Sequence, residues 1–324
     1  MLQQTRTEGV KAYFARWMEL FPTVQALAQA PEQDVLQAWQ GLGYYSRARN
    51  LRKAAQEICV QYGGSLPETA EELAKLPGIG DYTAGAIASM AFGQVVPAVD
   101  GNLQRVLARM YAVEDDILST SGKKKLRALA EQAISPERPG DFNEAMMDLG
   151  AGVCIPKNPR CELCPVREAC KALAQGRTQE LPHRQKRKVQ TEYYADCAIF
   201  IRAGQVLLQQ RPDKGLLASM WEFPNVLAAA EPESFARLKK QMGPVGDLYW
   251  QHTHVFSHQI WHVKAYWGQE IPNLNRSSWI PLTEPAQVPL AGPYGKLFQV
   301  LCQEGLFREE EAAYLVAERG DEGK

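Results

Sequence analysis

The sequence predicts a two-domain protein, an almost wholly helical first half followed by an α+β second half. Three observations carry this. Apolar residues recur at helical spacing from residue 1 to about 176, then stop at a basic stretch, Leu181-Pro182-His183-Arg184-Gln185-Lys186-Arg187-Lys188. Beyond it the texture turns strand-like. Four of the seven cysteines crowd into Cys154–Cys170 at the end of the helical half. A chain of 324 residues has room for two ordinary cores.

In the helical half, Leu103, Val106, Leu107 and Met110 fall at i, i+3, i+4 and i+7, and Phe142, Ala145, Met146 and Leu149 repeat that spacing. Gly- and Pro-marked breaks separate such patterns at 62–64, 77–80 and 136–140. The basic stretch reads as a solvated linker or as a strap against DNA phosphates. After it, Cys197–Ile201 and Val206–Gln210 read as strands around the turn 202–205. His254–Tyr266 is strand-like, and Ser234–Gln241 and Gly295–Leu301 are helix-like. The expected organisation is a helical domain over 1–176, a linker over 177–192, an α+β domain over 193–308 and an acidic tail over 309–324. No internal repeat is visible.

The apolar and charged fractions, 45% and 23%, are those of a globular protein, and no run of eighteen apolar residues would span a membrane. The start, Met1-Leu2-Gln3-Gln4-Thr5-Arg6, lacks a secretory leader's charged head and apolar middle, so a cytoplasmic location is expected. With a net charge of −1, any grip on nucleic acid must come from local basic patches.

Cys154, Cys161, Cys164 and Cys170 are spaced C-x6-C-x2-C-x5-C. Thiols this close in a chain without a leader point to a metal centre rather than disulfides. Structural zinc usually takes two closely spaced pairs, but only Cys161 and Cys164 make one here, and no histidine lies in the run. A [4Fe–4S] cubane takes one thiolate per iron and tolerates uneven spacing, so it is the expected cofactor.

Between two helical patterns lies Leu76-Pro77-Gly78-Ile79-Gly80-Asp81-Tyr82-Thr83-Ala84. Gly78 and Gly80 let the backbone turn sharply and aim successive N–H groups outward at a helix start, a nest that suits a phosphate. Alone, such a stretch is equally a plain corner. Here Val99-Asp100-Gly101-Asn102 and then the cysteine run follow it.

These features together resemble the endonuclease III superfamily of helix-hairpin-helix DNA glycosylases. Met1-Leu2-Gln3-Gln4-Thr5, Gly41-Leu42-Gly43-Tyr44-Tyr45, Val99-Asp100-Gly101-Asn102 and Phe142-Asn143-Glu144-Ala145-Met146 resemble its adenine DNA glycosylase (MutY) family. Gly215-Leu216-Leu217, Trp221-Glu222-Phe223-Pro224 and Phe256-Ser257-His258 are similar to that family's C-terminal Nudix-like domain. The resemblance spans nearly the whole chain. It implies a bacterial, nucleoid-associated base-excision repair enzyme, monomeric and bound to no membrane. Its substrate would be adenine opposite 8-oxoguanine or guanine in double-stranded DNA.

Glycosidic cleavage passes through a cationic sugar, which wants a carboxylate beneath it and an acid for the departing base. Asp100 suits the first need, although a plain helix N-cap would also place an aspartate there. The resemblance implies that Asp100 stabilises the cation and Asn102 positions it. Relatives that cut the strand through a Schiff base carry a lysine at the position of Tyr82. A phenol forms no imine, so a monofunctional enzyme is expected, with Tyr82 as a packed aromatic the plain alternative. Glu144, three residues after Asp141, would complete a capping box, or by resemblance sit beside the flipped adenine. Gln4 and Tyr44 match residues inserted into DNA, Thr5 would be a further DNA contact, and Leu42 would lie near 8-oxoguanine. Lys157 and Arg160 are placed to contact phosphates. Phe256, Ser257 and His258 resemble the loop that inspects 8-oxoguanine, where a plain β-loop is the alternative. Ser234–Lys240 lacks the carboxylates with which Nudix hydrolases hold magnesium, so the second domain is expected to bind a base without hydrolysing pyrophosphate.

Three rivals are set against this: a bifunctional glycosylase/lyase, a non-catalytic lesion-binding protein, and a zinc module joined to a nucleotide hydrolase. The second gains from one departure. In the family the general-acid glutamate lies two residues before Met-Leu-Gln-Gln-Thr, and this sequence begins at that methionine. Glu8 lies nearly three helical turns further on and does not replace it. The expectation is an N-terminally truncated chain with little activity. Residues 1–324 should release adenine ~10²–10⁴-fold more slowly than a chain given the family's glutamate-bearing segment ahead of Met1. Near-normal excision by residues 1–324 in a single-turnover assay would place the acid elsewhere.

Overall fold

A computed structural model describes residue 1 and residues 7–185, 190–283 and 286–304 of the chain. Its helical part comprises α1 (Thr7–Leu20), α2 (Val24–Gln29), α3 (Glu32–Ala38), α4 (Ser46–Gln61), α5 (Ala70–Leu73), α6 (Asp81–Phe92), α7 (Gly101–Met110), α8 (Thr120–Ala133), α9 (Pro139–Asp148) and α10 (Lys171–Ala174). Short polar side chains start several of them. Thr23, Thr69, Asp100 and Ser119 each accept a hydrogen bond from an orphan amide of the first turn. The expected capping box at Asp141 and Glu144 is corrected. Pro139, with its preset φ and no N–H to satisfy, starts α9 two residues earlier, and Asp141 instead pairs with Arg138.

Packing divides the chain into two compact units, Lys53–Arg187 and Met1–Arg52 with Lys188–Lys324. Residues 1–176 therefore do not pack as one domain, and the division falls inside α4. In the unit of Lys53–Arg187, Leu103, Val106 and Leu107 of α7 meet Leu126, Ala130 and Met146, with Cys154 and Cys164 against the edge of this core. The segment expected as a solvated linker is, up to residue 185, tied to the loop after α7. Ile117 donates its amide to the His183 carbonyl (3.1 Å). Arg177 and His183 bond the Glu114 carboxylate, and Leu181 is buried. Residues 186–189 lie outside the described residues.

In the other unit, Trp17 packs edge-on against Phe21 and Trp39, at 4.8 and 5.3 Å between ring centroids. These N-terminal helices are joined to the α+β part by polar contacts: the Gln33 and Gln37 amides donate to the Ser219 and Ala286 carbonyls, and Arg49 to Ala218. The α+β part runs β1 (Thr191–Ile199), β2 (Ile201–Arg202), β3 (Gln205–Gln210), β4 (Trp221–Glu222), β5 (Asn225–Ala228), α11 (Glu231–Met242), β6 (Val245–Val255), β7 (Gln259–Gly268), β8 (Ser277–Pro281) and α12 (Gly292–Gln303). One sheet has the order β5-β1-β7-β6, with β1 parallel to β7; the other is β2-β3-β4, with β8 on β3. The strand expected over Cys197–Ile201 is thus split. The chain passes from one sheet to the other at the buried Phe200, so that the two-residue β2, not β1, forms the hairpin with β3. Both expected helices are present as α11 and α12. Among the described residues no helix is long and apolar enough to cross a membrane. The acidic tail, 309–324, lies outside the described residues.

Hydrogen bonds from Arg177 and His183 pull the Glu114 carboxyl from 4.5 down to about 2. A depressed carboxylate stabilises the fold above its unfolded pKa and ceases to do so as pH falls through its folded value. Glu114→Gln should therefore reduce amide protection at Ile117 at pH 7, with the difference fading between about pH 4.5 and 2. The carboxylate is exposed, so the effect should be small and shrink in high salt. Equal protection of parent and variant at pH 7 would show that the ion pair does not hold the 177–185 segment.

Candidate active site and cysteine loop

The helix-hairpin-helix corner forms as its glycines suggest, by different means. Gly78 adopts a left-handed φ of +79°, and the Ile79 amide closes the turn on the Leu76 carbonyl (3.1 Å). Gly80 is extended and is the N-cap of α6, without a side-chain cap; a Cβ built on it meets nothing within 4 Å. The first-turn amides of α6 thus begin at an uncapped, open helix end, which favours an anion.

α6 ends at Gly93, in the left-handed region, and the chain then runs extended to Asp100. This segment lies close on α6: a Cβ at Gly85 would sit 2.6 Å from the Pro97 carbonyl oxygen. Asp100 is the N-cap of α7, and its Oδ1 accepts from the Leu103 amide at 2.7 Å. Its other oxygen accepts no hydrogen bond from the described residues. Cap and reactive carboxylate are therefore compatible roles for one side chain. Tyr82, in the first turn of α6, is half-buried, and its hydroxyl points at Met147 Sδ (3.6 Å). Burial first, and the Asp100 charge second, push the phenol's pKa up, which keeps it a protonated donor at neutral pH. The structure brings Tyr82 and Asp100 into one electrostatic neighbourhood.

Asn102 lies in the first turn of α7 and is held from behind. Arg105 donates to Asn102 Oδ1 (3.0 Å) and to the carbonyls of Gly150 (2.7 Å) and Cys154 (2.8 Å). A Cβ at Gly150 would fall 2.7 Å from Asn102 Cβ, so only glycine admits this approach. One turn on, the buried Arg109 donates to the carbonyls of Ile155, Pro156 and Leu181 and lies 3.3 Å from Cys154 Sγ. Two arginines at i and i+4 inside an apolar helical stripe are the sequence signal for this link, which the search for catalytic carboxylates passes over.

The four cysteines punctuate short turns. Cys154 ends a five-residue π turn, Cys161 and Cys164 bracket one 3₁₀ turn, and Cys170 follows another and caps α10. Burial, and then the charges of Cys154, Cys170 and Cys164, push the Cys161 thiol up against the opposing pull of Arg109. Among the described residues no three His, Cys, Asp or Glu side chains converge as they would around a single metal ion. Lys157 and Arg160 are exposed on the loop between the first two cysteines.

Glu144 is exposed on α9, whereas its neighbour Asn143 is fully buried. Asn143 Nδ2 donates to Ser89 Oγ (2.8 Å) and the Val96 carbonyl (3.0 Å), and its Oδ1 accepts from the Ala98 amide (2.9 Å).

In the other unit, Tyr44 has a left-handed φ of 48° and is 49% exposed, while Leu42 beside it is buried. Arg47 binds this turn through the Leu42 and Gly43 carbonyls (3.2 and 3.1 Å) and stacks near Tyr44. Gln4 and Thr5 lie outside the described residues. Phe256-Ser257-His258 forms the tight connection between β6 and β7, closed by the Phe256 amide on the Gln259 carbonyl (2.8 Å). Ser257 and His258 are exposed at its tip, and Phe256 packs edge-on against His254 and Trp261. The two glutamates that begin α11, Glu231 and Glu233, are engaged by Lys264 and Arg237.

Replacing Arg105 by leucine would take this donor from Asn102 Oδ1 and the Gly150 carbonyl and leave the Cys154 carbonyl only the longer contact to Arg109 (3.4 Å). It should destabilise the Lys53–Arg187 unit by about 1–3 kcal/mol. Urea unfolding checks this, and an unchanged midpoint would show that water replaces the guanidinium at no cost.

Both halves of the chain are similar in sequence to known proteins. The model of the HhH-GPD superfamily of base excision DNA repair proteins matches residues 1–136, and a NUDIX domain model matches 196–300. The adenine DNA glycosylase of Mus musculus is 40% identical over 311 residues, which cover 80% of this chain and 60% of that protein. That of Buchnera aphidicola subsp. Acyrthosiphon pisum is 30% identical over 305 residues, covering 92% of this chain and 87% of that protein. A solved structure of a thermostable thymine-DNA glycosylase is 27% identical, with a TM-score of 0.48, over 54% of this chain and 80% of that one. The chain spans about 60% of the length of the mammalian relatives it matches. By its identity to relatives of nearly its own length, with a helix-hairpin-helix half and a Nudix-like half in sequence, the chain belongs to the adenine DNA glycosylase family.

Proposed function

We propose that this chain is a monofunctional DNA glycosylase acting on adenine opposite 8-oxoguanine or guanine in duplex DNA. The observation that carries the reading is Asp100, held by the Leu103 amide at the start of α7 with one carboxylate oxygen left over and Tyr82 nearby. Heterolysis of the C1′–N9 bond leaves the electron pair on adenine and positive charge on the sugar. A carboxylate fixed beneath that charge lowers the barrier. Water then adds its oxygen to C1′ and gives up a proton, while the departing adenine takes one up, so that the products are free adenine and a C1′ hydroxyl. The tyrosine at the hairpin offers no amine for a Schiff base, which supports hydrolysis without strand cleavage.

The open α6 N-terminus behind Gly78 and Gly80 would take a phosphate of the damaged strand, and Lys157 and Arg160 further phosphates. Tyr44, with Gln4, would fill the vacated stack, Thr5 would contact the DNA beside it, and Leu42 would line the turn near 8-oxoguanine. The exposed hydroxyl of Ser257, between Phe256 and His258, would read the lesion's altered edge. The four thiols would hold a [4Fe–4S] cluster: Cys154, Cys164 and Cys170 lie near enough to Cys161 for their charges to push its thiol up, and Arg109 sets a buried positive charge beside Cys154 Sγ. Bound there, the cluster would supply rigidity to the loop that carries Lys157 and Arg160.

Two measurements test the reading. Duplexes with 8-oxoguanine opposite a non-cleavable adenine analogue should bind more tightly than those with guanine, and Ser257→Ala should narrow the gap by at most ~1–3 kcal/mol. Equal binding of both duplexes by the parent would remove lesion recognition from the second half. Anaerobically purified protein should contain about four irons per chain, lost in Cys161→Ser together with DNA affinity. Stoichiometric zinc without iron would overturn the cluster.

A further inference from the structure

The carboxylate that the chemistry needs is delivered by a segment that has little of its own to hold it. Residues 94–99 form neither helix nor strand, and Pro97 has no N–H to give. One side chain supplies what a neighbouring strand would. Asn143 is 1% exposed, and its primary amide grips the backbone on both sides of the proline, accepting from the Ala98 amide and donating to the Val96 carbonyl. Its remaining N–H goes to Ser89 Oγ on α6, and that hydroxyl donates in turn to the Ala86 carbonyl. Every donor and acceptor position that matters on this amide is used, so its orientation is determined.

The surroundings leave the segment no slack. Gly85 of α6 meets the Pro97 carbonyl oxygen so closely that a Cβ would stand 2.6 Å from it. Gly140, at the start of α9, admits the backbone of Ser89 and Met90 to 3.0 Å of where its own Cβ would be. The segment is clamped between α6 and α9, with Asn143 as the polar half of the clamp. Two residues beyond the gripped Ala98 amide stands Asp100, whose own hydrogen bond reaches only forward, to Leu103.

We propose that Asn143 is the positioning residue for this carboxylate: it fixes the backbone leading into Asp100, and so where the negative charge lies against the sugar. The inference rests on the reading of Asp100 as the group that stabilises the cationic sugar. Asn143 touches no substrate. It acts through three backbone and hydroxyl contacts, and a misplacement of about 1 Å at a reacting centre can cost ~10²-fold.

The test is binding by the full chain to two duplex probes with 8-oxoguanine opposite an abasic analogue. One analogue is a cationic pyrrolidine, the other a neutral tetrahydrofuran, and the quantity read is the ratio of their dissociation constants. That ratio reports the charge at Asp100 and needs no chemistry to occur. The parent should prefer the cation, and Asp100→Asn should erase the preference. Asn143→Ala should reduce it roughly ten- to a hundredfold, with tetrahydrofuran binding changed by much less. Gly85→Ala pushes the same segment from the other side and should act alike, which keeps the test available if Asn143→Ala fails to fold. Leu126→Ala, a core truncation in α8, should lower stability and leave the ratio intact. A ratio within twofold of the parent in Asn143→Ala, or in Gly85→Ala where that alone folds, overturns the proposal. A parent without preference for the cation overturns the role given to Asp100 instead, and with it the ground for this one.

Discussion

The buried guanidinium groups of Arg105 and Arg109 govern how the helical unit is put together. A charge taken out of water is tolerated only where its N–H groups find acceptors. Both arginines project from α7, the helix whose first cap is Asp100, and both find their acceptors in the chain around Gly150–Pro156. The cysteine loop is therefore fastened to α7 by five carbonyl contacts rather than by apolar packing alone. Arg109 carries the link further, to the Leu181 carbonyl, so the segment that leaves the unit is registered against the same helix.

Glycine sets the other limit on the site. Gly150 lets Asn102 approach the turn before the first cysteine, and Gly85 lets the Pro97 carbonyl lie on α6. Neither has a positive φ in this structure, so both are there for space, not for backbone freedom. The corner at residues 76–80 shows the two uses side by side: Gly78 turns the chain, while Gly80 leaves an open surface in front of an uncapped helix. A ligand that reaches this surface meets backbone amides with no side chain in the way.

The sequence makes some of this legible and hides the rest for physical reasons. Helical period marks α7 and α9, the glycine pair marks the corner, and the cysteine spacing marks the loop. Each is a local pattern within a few residues. The start of α9 is misread because an aspartate followed by a glutamate resembles a cap, while the proline two residues earlier already presets the helical φ. β1 is read as the partner of β3 because the turn between them is short, but the buried Phe200 redirects the chain into a second sheet. Asn143 is hidden by its neighbour. In Phe142-Asn143-Glu144 the charged residue draws attention, yet Glu144 faces solvent and the neutral amide faces the site's supporting backbone. Residues that act through a partner distant in sequence leave no spacing to read.

These supports also explain how Asp100 can serve two ends. As an N-cap, its Oδ1 stabilises α7 whether or not any ligand is present, at about 0.5–2 kcal/mol for a cap of this kind. The same hydrogen bond prevents the side chain from turning away, and it leaves one oxygen that, under the proposed reading, faces the charge developing on the sugar. A carboxylate free to rotate would have to be ordered at the transition state; one already held as a cap has lost that freedom on folding. Under the proposed reading the reactive carboxylate and the helix start are thus one feature, and the backbone that leads into it is held on both sides of Pro97 by Asn143.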